Sequence, residues 1–200
     1  MSNYTRYRIP GGTYFFTTYL HDRRSCLLVE NIEKLRHVTR QTMLRYPFEI
    51  NAIAVLPAAI HTIWTLPPGD SDYSKRWRLL KSLFSRGLPA PPNCRASHIA
   101  RGEKGLWQRR FWEHSIRDAA DYAVYERFIH AAPVISGLVT DPNDWPFCSL
   151  HRNRANPATP GLRTARQDAP GCQSHTSHHR SKTPNPPPGH SAAVAVSERL

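Results

Sequence analysis

The sequence predicts an α+β fold: a ferredoxin-like (RRM-like) antiparallel sheet with helices packed on it, followed by a disordered C-terminal tail. Three observations carry this expectation. Aromatic or β-branched runs alternate with helically spaced runs in the order β-α-β-β-α-β-α, which contains a split βαβ arrangement. About 140 residues suffice to bury one such core. Beyond about His151 the chain changes character: residues 151–200 hold no Phe, Trp or Tyr, but seven prolines and five histidines. Such a segment cannot bury enough apolar surface to offset its ordering entropy. The expected organisation is a domain over 1–152 and a Pro/His/Arg-rich tail over 153–200.

Taken in order, a Pro10-Gly11-Gly12 turn leads into Tyr14 to Leu20, an aromatic and β-branched strand. Ile32, Leu35, Thr39, Thr42 and Tyr46 fall at helical spacing, which predicts a helix over 31–46 that Pro47 ends. Phe48 to Leu56 is a second strand, with Phe48, Ile50, Ala52 and Ala54 on one side and Ile53 and Val55 on the other. Both sides are apolar, as in a strand covered on each face. Pro57-Ala58 is a short break before a third strand over 60–66, the hairpin partner of the second. A helix over 72–86 follows, capped by Ser71 or Asp72. Trp77, Leu80 and Phe84 form its apolar stripe; Lys75, Arg76, Arg78 and Lys81 occupy the remainder, either as a solvated face or as phosphate contacts. The proline-rich stretch 88–101 reads as a loop. A fourth strand is expected over 107–116. Asp118 caps a last helix over 119–131, closed by Pro133.

The formal charge is +12. Residues 1–150 contribute 20 Lys and Arg against 13 Asp and Glu, and residues 151–200 contribute 7 against 2. A surface this basic favours a polyanion such as nucleic acid, solubility alone being the bland alternative. Cys26, Cys94, Cys148 and Cys172 form no C-x-x-C pair and suggest neither a zinc knuckle nor a disulfide framework. No signal peptide and no apolar run of about 18 residues is present, so a cytoplasmic location is expected.

Two stretches carry the chemistry: Val55 to Trp64, VLPAAIHTIW, and Gly105 to Val139, GLWQRRFWEHSIRDAADYAVYERFIHAAPVISGLV. With Pro10-Gly11-Gly12 and Asp144-Trp145-Pro146 they resemble the REP-associated tyrosine transposases, single-tyrosine enzymes of the HUH type. The resemblance covers about residues 3–152, with many spaced motifs in the right order. It implies a strand bearing His-hydrophobe-His, whose two imidazoles share a face and hold a divalent metal, Mg²⁺ or Mn²⁺, that polarises the scissile phosphate. It also implies a helical tyrosine that attacks phosphorus to form a 5′-phosphotyrosine link, and an amide side chain that completes the metal site.

The family pattern L-P-D-H-M-H-x-L-W falls on Leu56 to Trp64, and Y-I-H-x-N-P-V falls on Phe128 to Val134. His61 matches the second histidine and is the remaining metal ligand. Ala59 stands at the first, Phe128 at the nucleophile and Ala132 at the amide. Alanine offers no lone pair and phenylalanine no hydroxyl, so the resemblance implies DNA cleavage and strand transfer that this chain has lost, with no tight metal site. Tyr125, one turn before Phe128, is the one substitute nucleophile the helix offers, about 5.4 Å away along the axis. Binding of single-stranded or hairpin DNA, as in repeated extragenic palindromes, outlives such losses. Arg6, Arg8, Arg109, Arg110, His114 and Arg117 are the candidate DNA contacts, the arginines pairing with Glu113 and Asp118 if they are structural instead. Trp107, Phe111 and Trp112 are candidates for stacking on unpaired bases, or else core. A homodimer is compatible with the family. The competing readings are an active transposase with unusual ligands and a non-functional relic or interaction module.

Overall fold

The structure is a computed structural model that describes residues 8–91, 100 and 104–151. Arg6, the tail and much of the 88–101 loop lie outside the described residues.

Four strands form one antiparallel sheet: β1 (Thr13–Tyr19), β2 (Glu49–Leu56), β3 (Ala59–Thr65) and β4 (Trp112–Ser115), in the spatial order β2-β3-β1-β4. That is the ferredoxin-like order, with β1 and β3 central. The helices are α1 (Leu27–Glu30), α2 (Ile32–Arg45), α3 (Tyr73–Ser85) and α4 (Ala119–Ile135), and a single 3₁₀ turn covers Pro142–Asp144. Among the described residues no helix is long and apolar enough to cross a membrane.

Period-two alternation sends the strand side chains to two cores. On one face Tyr14, Phe16, Ile60 and Trp64 meet Leu35 and Val38 of α2 and Tyr73, Trp77, Leu80 and Phe84 of α3. Trp64 and Trp77 stack there with centroids 4.2 Å apart. On the other face Phe15, Tyr19, Ala59 and Ile63 meet Tyr125, Phe128, Ile129 and Ala132 of α4. The candidate site therefore lies between the sheet and α4.

The structure departs from the sequence reading in five places. The pairing of β2 with β3 shifts register between Ile50 and Ala52, a bulge that inserts one residue and swaps the two faces. Phe48 and Ile50 thus join Ile53 and Val55 in the α2/α3 core, while Ala52 and Ala54 face α4. The first helical stretch is two helices, broken at Asn31 (φ −115°, ψ 34°). The fourth strand is only Trp112–Ser115: Trp107 makes an isolated bridge to Leu20, and Phe111 turns in against Phe16 and Trp77. The last helix does not stop at Pro133. A proline removes one N–H bond, yet the turn is held by Ser136 N–H to the Ala132 carbonyl at 3.0 Å. The helix ends instead at Gly137 (φ 69°), where Gly137 N–H reaches the Val134 carbonyl and Leu138 N–H the Pro133 carbonyl, the Schellman pattern. Finally, Cys26 is disulfide-bonded, whereas Cys148 is buried and free.

The caps match their side chains. Asp72 accepts from Lys75 N–H at 3.1 Å, and Asp118 accepts from Asp121 N–H at 2.8 Å. The basic side of α3 is largely structural. Arg76 is buried, with bonds to Asp70, to the Pro47 carbonyl and to the Asp72 carbonyl. Lys75 pairs with Asp70, and Lys81 donates to the Gln108 carbonyl; Arg78 is exposed.

Candidate active-site remnant and nucleic-acid interface

β3 places Ala59 and His61 on the α4 face because they are two residues apart in a strand. α4 places Phe128 and Ala132 on its sheet-facing side because they are four apart in a helix. The four side chains converge, but on packed core rather than an open cleft. Ala59, His61 and Ala132 are fully buried and Phe128 is 8% exposed. Phe128 stands edge-on to His61, with centroids 5.1 Å apart and planes at 85°, and edge-on to Phe15 at 5.8 Å.

His61 is held by β1. Its Nδ1 lies 2.9 Å from the Thr17 hydroxyl, while its Nε2 is buried with no hydrogen-bond partner. Burial, with a smaller contribution from the charge of Arg23, lowers its pKa to about 3, so the ring is neutral. That neutral Nε2 is a metal-ligating atom by type. The donors around it do not make a site: Ala59 and Ala132 carry none, Phe128 none, and no group of three or more His, Cys, Asp or Glu able to hold a metal ion occurs among the described residues. A hard divalent cation wants about six donors, mostly oxygen. The residues present therefore do not fit the metal that the family resemblance implies.

Tyr125 lies one turn earlier, buried, with its ring 4.6 Å from both Phe15 and His114. Burial, reinforced by the charge of Asp121, pushes its hydroxyl up to about 12. A phenol so hard to ionise is a poor nucleophile. His130 is half-buried with its pKa lowered by burial, and its Nε2 is 3.5 Å from the Ser149 hydroxyl.

At the rim of this face the candidate DNA contacts separate into two kinds. Arg8, Arg109 and Arg110 are exposed. His114 and Arg117 are organised by Asp121, a residue that the sequence reading matched only as part of a motif. Asp121 Oδ2 lies 2.8 Å from His114 Nε2 and accepts from both the backbone N–H of Arg117 at 3.1 Å and its Nε at 3.2 Å. Burial raises the Asp121 pKa, but the bonds from His114 and Arg117 outweigh it and hold the carboxyl below its ordinary value. Arg117 thus pairs with Asp121 rather than Glu113 or Asp118; its i,i+4 spacing was the available signal. Of the three candidate stacking residues, Trp107 is buried against Phe84 and Phe111 packs on the α2/α3 core, so only Trp112 is left substantially exposed.

No family model matches the chain. Known proteins do. The REP-associated tyrosine transposase of Escherichia coli K12 is 45% identical over 155 residues, covering 78% of this chain and 86% of that protein. A candidate REP-associated tyrosine transposase of Haemophilus influenzae Rd is 44% identical over 156 residues, covering 76% and 88%. The solved structure of a REP-associated tyrosine transposase bound to a REP hairpin matches with a TM-score of 0.68 and 42% identity, over 86% of this chain and 98% of that one. Identity at this level across most of both chains, on a shared antiparallel sheet with its helices, means that this chain belongs to the REP-associated tyrosine transposase family.

Proposed function

We propose that this chain is a cytoplasmic DNA-binding member of its family that holds single-stranded or hairpin DNA without cutting it. One observation carries the loss of cleavage: Phe128, at the nucleophile position, is a hydroxyl-free ring packed edge-on to His61 in a pocket whose ligand positions are Ala59 and Ala132. Attack on phosphorus needs an oxygen nucleophile, and the charge that grows on the phosphate needs a cation or donor to offset it. Neither is supplied there, and Tyr125 is buried and held protonated. No tight Mg²⁺ or Mn²⁺ site belongs to this proposal.

The binding half rests on charge and on kinship. The exposed Arg8, Arg109 and Arg110 suit a phosphate backbone, and a relative at 42% identity is bound to a REP hairpin. The test is a titration of the full chain with a labelled palindromic hairpin, followed by denaturing gels with Mg²⁺ or Mn²⁺ present. Salt-sensitive binding with no covalent adduct is expected. A covalent adduct would restore the active-enzyme reading, and a folded chain that binds no DNA would leave the relic or interaction module. The stoichiometry of the titration tests the homodimer.

A further inference from the structure

The chain has five tryptophans, and four of them, Trp64, Trp77, Trp107 and Trp145, are buried. Trp112 is 37% exposed. It sits opposite Thr17 on the sheet edge, and Thr17 is the residue that bonds His61, so the indole lies on the face of the active-site remnant. Its orientation is fixed from the protein side. It runs parallel to His114 (5.9 Å, 6°) and edge-on to Phe15 (5.6 Å, 67°).

The ring stacked on it is in turn fixed. His114 Nε2 and Arg117 Nε both reach the same oxygen of Asp121, at 2.8 and 3.2 Å. Asp121 is buried, while the Arg117 side chain is 50% exposed. One buried carboxylate therefore sets both the imidazole that supports the indole and the guanidinium that faces solvent. A flat, rigidly backed aromatic surface within about one nucleotide's reach of a cation matches one base and its phosphate. Arginine's fork suits the phosphate oxygens.

We propose that Trp112 and Arg117 form a subsite for one unpaired nucleotide, the indole taking the base and the guanidinium its phosphate, with Asp121 as the positioning residue. The subsite accepts any base, since every base has a stacking face. It rests on the reading of this chain as a hairpin-DNA binder and names the part of such DNA that meets the site face: the unpaired flank rather than the duplex stem.

The test uses the full chain and two hairpins, one blunt and one with a short single-stranded flank carrying 2-aminopurine at its first unpaired position. Binding the flanked hairpin should quench both 2-aminopurine and the accessible tryptophan emission. Trp112→Leu should abolish the quench and weaken the flanked hairpin about tenfold, the loss expected of one base–aromatic stack, and leave the blunt one unchanged. Trp112→Phe should restore most of it, which excludes a folding defect as the cause. Asp121→Asn should also weaken the flanked hairpin, although it removes a negative charge; tighter binding would overturn the positioning role. Equal effects of Trp112→Leu on both hairpins, or none, would overturn the subsite. If neither hairpin binds, the hairpin reading fails by itself. A plain single strand then decides the subsite: a Trp112-dependent quench supports it, and no quench overturns it.

Discussion

The ring of Phe128 closes edge-on over His61 at 5.1 Å, beside an imidazole nitrogen that has no hydrogen-bond partner. An unpaired buried polar atom costs about 1–3 kcal/mol. His61 thus sits in an apolar box as a net burden on stability, offset by the packing of Phe15, Tyr19 and Phe128 around it.

Restoring the chemistry requires several parts together. Ala59→His, Phe128→Tyr and Ala132→Asn combined should give a metal-dependent covalent protein–DNA adduct, abolished by a chelator and by His61→Ala. Each single restoration should remain close to inactive, because groups that act as a unit are strongly non-additive. Ala59 is fully buried, so an imidazole there should also lower stability, by about 1–3 kcal/mol of overpacking. Adduct yield on denaturing gels and urea midpoints read the two effects.

The pH dependence of stability has a defined sign. His61 titrates near 3 when folded and about 6.5 when unfolded, so below pH 6.5 the unfolded state binds more protons. Stability should fall as pH drops from about 6.5 toward 3, with His130, also lowered, acting in the same direction. Asp70 and Asp121, whose carboxyls are held down, add their loss only below about pH 4. The His61 share is on the order of 4–5 kcal/mol at most. His61→Asn should flatten the slope between pH 6.5 and 4 in urea titrations; an unchanged slope would show that His61 is not the group responsible.

Arg76 is expected to be structural. Its buried guanidinium bridges Asp70 to the Pro47 and Asp72 carbonyls, so Arg76→Ala strands a carboxylate and two carbonyls. A destabilisation of about 3–5 kcal/mol is expected by denaturant unfolding. Where the variant is folded, its affinity for DNA should match the unmodified chain.

Arg109→Ala with Arg110→Ala should weaken hairpin binding with little effect on stability, since both side chains are exposed. The salt dependence should lose about two of its phosphate-linked counterions, read as a shallower slope of log K against log salt. An unchanged slope would assign the pair a structural role.

How much of this was legible in the residues differs by element. The β2–β3 hairpin, the α3 stripe of Trp77, Leu80 and Phe84, and the Asp118 cap all follow from local spacing, and local spacing is what sequence displays. The bulge between Ile50 and Ala52 depends on how two strands pair, so the alternation of β2 misassigned Phe48 and Ile50. Pro133 reads as a stop, yet its missing N–H falls within the last turns of α4 and only Gly137 ends the helix. At the site, the positions of Ala59, His61, Phe128 and Ala132 were legible through the family resemblance. That they form a packed core was not, because packing is decided by what α4 lays over β3. Likewise nothing in WQRRFW separates Trp107 and Phe111, which turn inward, from Trp112, which does not.

Residues 147–149 run along the outer rim of β2: Val55 N–H donates to the Phe147 carbonyl, Ser149 N–H to the Ile53 carbonyl, and Ile53 N–H to the Ser149 hydroxyl. An open strand edge is a template on which further chains add. With that rim taken, the remaining outer edge of this sheet is β4, four residues long and preceded by Arg109 and Arg110. Two copies meeting there would bring like charges together. The fold therefore carries its own guard against polymerising edge to edge, one rim occupied by its own chain and the other short and electrostatically defended.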